Sequence, residues 1–334
     1  MRSWKKSLGV SLPLMLLAVG ACGPASEGLP PPPPPSAGCD DSATSQLVAN
    51  QLTLPSLTRS YATDLDGDGS TDNRFQTLFT GLQAAGFGTQ GLIDNMVNNG
   101  RGTTLVQVRG SGRTNGCSPS VSLQAAERPA TPPRFDGQDR FTPRSGSTAV
   151  ALKGSVSGGR LGTTSPRDMQ ASEVTPLRIS VPLVEGVTVP LDLYGVELQG
   201  TLSDSDVMDG ELHAVLRKQD IDEQLIPAMA QAFTAKINKD PTGAVAQALI
   251  PFFEDSDYAT SKAKCDSDPA RCCAKNPTTC EISAAELREN TMLMQSLEPD
   301  VQMFQDGAWK PTPGGSTKDS LSIGFGISAV KASF

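Results

Sequence analysis

Histidine occurs once in these 334 residues, at position 213, and that scarcity removes several chemistries at the outset. No H-E-x-x-H metalloprotease helix can form, and a serine-histidine-acid triad would have to use His213, yet no G-x-S-x-G elbow is present. His213 falls in the strand-like stretch from Glu211 to Leu216, where it reads as an exposed or internally satisfied strand residue. Aromatic residues make up only 5% of the chain, and one of its two tryptophans, Trp4, lies at the very start, so a sugar-binding platform of exposed rings has little to build on. The stretch Ser157-Gly158-Gly159-Arg160-Leu161-Gly162 has neither a P-loop lysine nor a G-x-G-x-x-G fingerprint, and reads as a hairpin turn. Acidic pairs that could serve a glycosidase are too common in this chain to single out.

Positive charge is also short. Twenty-eight basic residues face 36 acidic ones, a net charge of −8. That balance argues against nucleic acid and against electrostatic attachment to anionic lipid.

The first residues show an export pattern. Arg2, Lys5 and Lys6 precede an apolar run from Leu8 to Ala21, which ends in Val19-Gly20-Ala21-Cys22. The run is short for a mature membrane span, and small residues before a cysteine fit cleavage ahead of Cys22 and acylation of its thiol. Residues 1–21 are therefore expected to be a lipoprotein signal, leaving 25 basic residues against 36 acidic, or −11. Gly23 follows Cys22 where an aspartate would favour inner-membrane retention, which points to an outer-membrane, lipid-anchored place in the cell envelope. Residues 22–38 contain six consecutive prolines, Pro30 to Pro35. These favour a polyproline II spacer of about 19 Å, at about 3.1 Å per residue.

Residues 39–334 read as a single α+β domain, mainly an antiparallel sheet in the form of a sandwich or open barrel. Leu177, Ile179, Val181 and Leu183 alternate on one face, as do Val187, Val189, Leu191 and Leu193, with Val196 and Leu198 continuing nearby. Further strands are expected over Thr103 to Val108, Ser120 to Leu123, Thr148 to Lys153, Glu211 to Leu216 and Leu321 to Val330. Pro182 and Pro190 place their segments at edges or bulges. Phe75, Leu78, Phe79 and Leu82 share a helical face that Gly86 ends; Leu92, Ile93, Met96 and Val97 form a second, closed by Gly100. The pair suggests a helical hairpin. More helix is expected before the last strand, over Ile221 to Ile237, with Pro227 as a kink or restart, over Ala244 to Phe253, and over Ser283 to Leu297. Residues 128–146, rich in Pro, Gly and Arg, read as a long loop.

The sharpest chemical motif is Asp64-Leu-Asp66-Gly-Asp68-Gly-Ser70-Thr-Asp72-Asn73. Oxygen donors at positions one, three, five, seven and nine, with glycine at six, match the opening of a calcium loop. Asp64, Asp66, Asp68, Ser70 and Asp72 are thus candidate Ca²⁺ ligands. Phe75 stands at position twelve, where a bidentate glutamate normally closes the shell, and Gln51 to Thr63, with Pro55, does not read as an entering helix. The alternative is an acidic turn in which Asp72 caps the following helix. A second half-signal combines Asp255 and Asp257 with Ile282, Ser283 and Glu286 at EF-hand-like positions; Ser283 and Glu286 equally form a capping box.

From the Asp64 loop to the closing Asp319-Ser-Leu-Ser-Ile-Gly-Phe-Gly-Ile-Ser-Ala-Val-Lys-Ala-Ser-Phe334, the chain resembles an uncharacterised family of bacterial lipoproteins. The resemblance implies an aspartate-rich loop near the start of the folded part and an EF-hand-like turn near its end. It implies no activity.

Apart from Cys22, six cysteines remain: Cys39, Cys117, Cys265, Cys272, Cys273 and Cys280. An even number in an exported chain suggests three disulfides. Neighbouring Cys272 and Cys273 are poorly placed to join each other, so each is expected to reach Cys265 or Cys280, leaving Cys39 with Cys117. A zinc site from the clustered four lacks the usual short C-x-x-C pairs. The resulting expectation is a non-catalytic, calcium-braced lipoprotein with a structural or interaction role and an unidentified partner. The alternatives are a module binding a small or apolar molecule and a carboxylate-based hydrolase.

Overall fold

Period-two alternation becomes sheet from Leu177 to Leu198 and from Leu321 to Val330. A computed structural model describes residues 38–253 and 281–334. The signal, Cys22, the proline spacer, Asp255, Asp257 and the cysteines at 265, 272, 273 and 280 lie outside the described residues.

Nine strands build one antiparallel sheet: β1 (Thr44–Thr53), β2 (Thr104–Arg109), β3 (Ser120–Ala125), β4 (Val150–Ser157), β5 (Arg160–Thr163), β6 (Leu177–Val184), β7 (Val187–Leu202), β8 (Met208–Arg217) and, after the two-residue strands β9 (Phe304–Gln305) and β10 (Ala308–Trp309), β11 (Ser320–Lys331). Their order is β5-β4-β3-β2-β1-β11-β8-β7-β6. β5 also pairs with β7 through Leu161 with Gly200 and Gly162 with Gln199. This bends the sheet into a ring that is not a complete barrel. The α+β class with a dominant antiparallel sheet is as the sequence led one to expect.

β7 makes the ring possible because its two halves have different partners. Its first half pairs with β6, and its second, from Tyr194 onward, with β8. The change falls at a register shift between Tyr194 and Glu197. Gly195 sits there with φ 55°, and a Cβ on it would lie 2.3 Å from Cη2 of Trp309. Pro190 lies in the half paired with β6, and Pro182 beside a register shift in β6, the terminal strand of the order; both suit a residue with no N–H to donate.

The inner face of the sheet carries Leu198, Leu212, Ala214, Ile323, Phe325 and Ile327, all buried. Helix α1 (Phe75–Ala84) lays Phe75, Leu78, Phe79 and Leu82 on this core, and α2 (Thr89–Asn98) adds Ile93 and Val97. Burial of each such side chain contributes about 1.5–3 kcal/mol. A π-helical turn, Ile221–Leu225, leads directly into the helix Ile226–Lys239, so Pro227 falls just past a break in the α-helical register, the restart that its missing N–H calls for. The expected helix over Ser283 to Leu297 is two short ones, Ala284–Glu289 and Thr291–Ser296, divided at Asn290, which caps the second by accepting from the N–H of Leu293.

The outer face of β11 bears Ser322, Gly324 and Gly326, and their smallness lets a loop lie flat against it. A Cβ on Gly324 would meet the backbone oxygen of Tyr61 at 1.8 Å, and one on Gly326 would meet the Tyr61 ring. The segment leading into the aspartate loop therefore crosses the sheet at close range. It covers a face that alternation alone would leave to solvent.

Candidate metal centre

The loop from Asp64 to Asn73 is closed at its base by an antiparallel bridge, in which the N–H of Asp72 donates to the Thr63 carbonyl at 2.8 Å. Gly67 and Gly69 adopt φ of 81° and 89°, the left-handed turns this spacing requires. Asp64 accepts from the N–H of Gly67 (2.8 Å) and of Gly69 (3.2 Å), Asp66 from Asp68 (3.2 Å), and Asp72 from Leu65 (2.8 Å). These bonds turn carboxylates inward. One oxygen from each of Asp64, Asp66 and Asp72 lies within 4.8 Å of the others, the one such group among the described residues.

The five candidate ligands therefore divide. Asp66 is fully buried and Asp72 is 9% exposed, whereas Asp68 and Ser70 face solvent; Asp68 accepts the N–H of Ser70 at 2.8 Å. The loop is held from outside by Leu65, which is buried with Val215, Val301, Met303 and Trp309. The Asn73 amide donates to the Gly324 carbonyl at 3.2 Å, and the Arg74 N–H to Oγ of Ser322 at 2.7 Å. Leader residues before the loop form β1 and an irregular segment, not a helix, as Pro55 suggested.

Position twelve is spent on packing. Phe75 is fully buried, with ring edges against Phe79 at 4.4 Å and Phe325 at 5.7 Å between centroids. Helix α1 begins at this residue, and its N-cap is Arg74 with no side-chain cap. The carboxylate of Asp72 thus binds the N–H of Leu65 within the loop; it does not cap the helix.

Two basic side chains come to the cluster from elsewhere in the chain. Lys318 places Nζ 3.0 Å from Oδ2 of Asp66, and Arg167 places Nη1 3.2 Å from Oδ2 of Asp64. Burial pushes the Asp72 carboxyl up to about 7; the Leu65 N–H opposes this, and the nearby charges of Asp300, Asp66 and Asp68 add to it. Burial also raises Asp300, against the pull of its hydrogen bonds from Ser322. Three converging carboxylates in a glycine-turned loop offer an all-oxygen set suited to a hard cation such as Ca²⁺, which takes six to eight oxygens at flexible geometry. Backbone oxygens and water would have to complete it.

At the second half-signal, Glu286 accepts from the Ser283 N–H (2.6 Å) and Oγ (2.7 Å), while its own N–H donates to Oγ of Ser283 (3.2 Å). The capping box is formed. Asp255 and Asp257 lie outside the described residues, and what the structure shows for Glu286 is the cap. Cys39 and Cys117 are joined, tying the start of the described chain to the loop before β3.

Of the two sequence readings of His213, exposed or internally satisfied, the structure removes the first. It is buried, 1% exposed, with Nε2 3.4 Å from Oε2 of Glu211 and Nδ1 without a hydrogen-bond partner. Glu197, directly across on β7, is 5% exposed with Oε2 equally unpartnered. Burial lowers the imidazole against the pull of Glu211, and burial raises Glu197 against its bond from Gln199. The one available signal was an acid, Glu197, between two apolar residues in a strand otherwise read for its valines and leucines.

Compared with known protein families, characterised proteins and solved structures, the chain matches none.

Proposed function

We propose that this chain is a non-catalytic lipoprotein of the cell envelope, tethered through an acylated Cys22, whose aspartate loop takes Ca²⁺ as a structural brace. The observation that supports the brace is the convergence of Asp64, Asp66 and Asp72 within 4.8 Å at the point where the chain enters α1. Without a glutamate at position twelve, affinity is expected on the order of 10⁻⁴ to 10⁻³ M, as in extracellular modules. Its partner would be a protein or small molecule, and the acidic surface disfavours nucleic acid. No described helix is long and apolar enough to cross a membrane, so the tether would carry the attachment.

Calorimetric melting with and without millimolar Ca²⁺ tests the brace. At about ten times its dissociation constant the ion adds roughly 1.4 kcal/mol. In a domain this large that is a rise of a few degrees at most, absent from Asp66→Ala/Asp72→Ala. No heat and no shift at millimolar Ca²⁺ would remove the ion from the account. For the tether, lipid found by mass spectrometry on the parent and missing from Cys22→Ala is the expected result, and equal membrane retention of both would refute it.

A second reading, that the loop is braced by the protein's own cations, is favoured by Lys318 on Asp66 and Arg167 on Asp64. The same melting experiment separates the two. Small-ligand capture has less support: a cleft of about 650 Å³ beside Thr291–Ser296 is lined by Lys218, Asp222, Arg288 and Lys318 together with Ile221, Met294, Leu297 and Pro299, a mixed lining that selects neither a polar nor an apolar guest.

A further inference from the structure

We infer that the cleft between the end of α2 and the β6–β7 hairpin binds a phosphate monoester, gripped by Arg101 and Arg144. The inference does not rest on the calcium reading, and this cleft is separate from the one beside Thr291–Ser296.

The cleft holds about 340 Å³, and Arg101, Arg144, Ser180 and Thr188 supply polar groups to its lining. Small-molecule sites span about 300–1,000 Å³. Acids outnumber bases in this chain, and Arg113, Arg167, Arg178 and Arg217 each hold a carboxylate. Arg101 and Arg144 hold none; neither guanidinium has an ion-pair or hydrogen-bond partner among the described residues. Glu185, the one carboxylate among the described lining residues, is taken by Nζ of Lys239 at 2.7 Å. Two like charges on one opening repel each other, and a dianion between them turns that repulsion into attraction.

Both arginines stand on backbone that is fixed before any ligand arrives. Gly100 and Gly102, each with φ 66°, turn the chain sharply on either side of Arg101. A Cβ on Gly100 would lie 2.6 Å from Cδ of Pro129, and one on Gly102 would lie 2.9 Å from Cε of Met96, so the turn is packed on two sides. The N–H of Arg101 donates to the Met96 carbonyl at 2.9 Å and that of Gly100 to the Val97 carbonyl at 2.8 Å. Carbonyls at the end of α2 that would repel an anion are thus capped. Arg144 comes from the long loop over 128–146. Its N–H donates to the Ala125 carbonyl at 2.8 Å, and its carbonyl accepts the N–H and Oγ of Ser147 at 3.1 and 2.8 Å.

A phosphate monoester suits these donors. It carries a charge of about −1.5 to −2 near neutral pH and three strong acceptor oxygens. Guanidinium forks bind such oxygens two at a time, and the hydroxyls of Ser180 and Thr188, unbonded among the described residues, add further donors. A single carboxylate would bring one charge for two arginines. Leu92, Met96 and Val184 line the remainder and leave an apolar wall for the organic part.

Inorganic phosphate is the probe, titrated at low ionic strength by calorimetry into the mature chain carrying Cys22→Ala, which keeps acyl chains out of the experiment. One phosphate should bind per chain. Arg101→Gln and Arg144→Gln, at exposed and half-exposed positions, should keep the parent's melting temperature and each weaken binding about tenfold or more, the loss expected for a charge-assisted contact. Arg160→Gln removes an exposed arginine at the β4–β5 turn, outside the cleft, and should change nothing. Tighter binding of glycerol 3-phosphate than of inorganic phosphate assigns the site to a soluble ester; sedimentation with phosphatidic acid vesicles that needs both arginines assigns it to a lipid headgroup. No heat with phosphate in the parent overturns the site. Binding that survives both cleft substitutions, or that falls equally in Arg160→Gln, overturns it as well.

Discussion

The ammonium of Lys318 lies 3.0 Å from Oδ2 of Asp66, a carboxylate with no exposed surface, although the two residues are 252 positions apart. The chain thus supplies a counter-charge at the centre of its most metal-like loop. Calcium at this place would have to displace that ammonium or share the carboxylate with it.

Lys318→Met is therefore expected to raise calcium affinity severalfold and to lower the melting temperature of the calcium-free protein. Removing a competing cation favours the ion, while a buried carboxylate left unpaired weakens the empty loop. Isothermal calorimetry of parent and variant reads both affinities. Weaker calcium binding by the variant would mean that Lys318 holds the ligands in place.

Stability of the calcium-free protein should fall with rising pH through Asp72. Its carboxyl stands at about 7 when folded against 3.8 unfolded. A raised acid favours the folded state fully below about pH 4, and this contribution is lost as pH climbs through about 7, because the unfolded chain releases the proton first. Asp72→Asn keeps an acceptor for the Leu65 N–H and should flatten the slope in urea midpoints between pH 4 and pH 8. Calcium needs the ionised carboxylate, so its affinity should rise over the same range with release of protons.

Phe75→Ala is expected to cost about 3–5 kcal/mol in denaturant unfolding, since it opens a cavity between Phe79 and Phe325. Phe75→Glu restores the acid that calcium loops carry at position twelve, yet it should destabilise more than alanine by burying a charge. A Phe75→Glu protein as stable as the parent would show that this position is not core.

The Cys39 to Cys117 link closes a long loop, with a sequence separation of 78 residues. Cys39→Ala/Cys117→Ala should lower unfolding free energy by roughly 2–4 kcal/mol without changing the far-ultraviolet spectrum. Non-reduced peptide mapping of the parent should recover the two cysteines together. Free thiol at either would contradict the bond.

Local rules carried far in this chain, because strand and helix periodicities depend on side chains a few residues apart. Leu321, Ile323, Phe325 and Ile327 alternate in the sequence and lie together on the inner face of β11; Phe75, Leu78, Phe79 and Leu82 mark α1 and are its buried side. Gly67 and Gly69 take the turns that an aspartate loop needs. Weak alternation hid β5, four residues long, and β1, whose Thr44–Thr53 mixes glutamine, asparagine and threonine with its apolar residues.

By itself, then, the sequence determined the strands other than β1 and β5, the helical hairpin and the turn chemistry of the Asp64 loop, since each is set by backbone geometry within a few residues. Only the tertiary structure decided which loop oxygens converge. Asp68 and Ser70 match the pattern as well as Asp66 and Asp72 do, and they face solvent because Leu65 and the bridge from Thr63 to Asp72 fix how the loop docks. Nor could alternation foresee that His213 and Glu197, on the polar side of their strands, are buried. Period two assigns a residue to a face, but whether that face meets water depends on the Tyr61 segment crossing Gly324 and on Arg167 and Lys318 arriving from distant parts of the chain, and such long-range contacts leave no periodic trace.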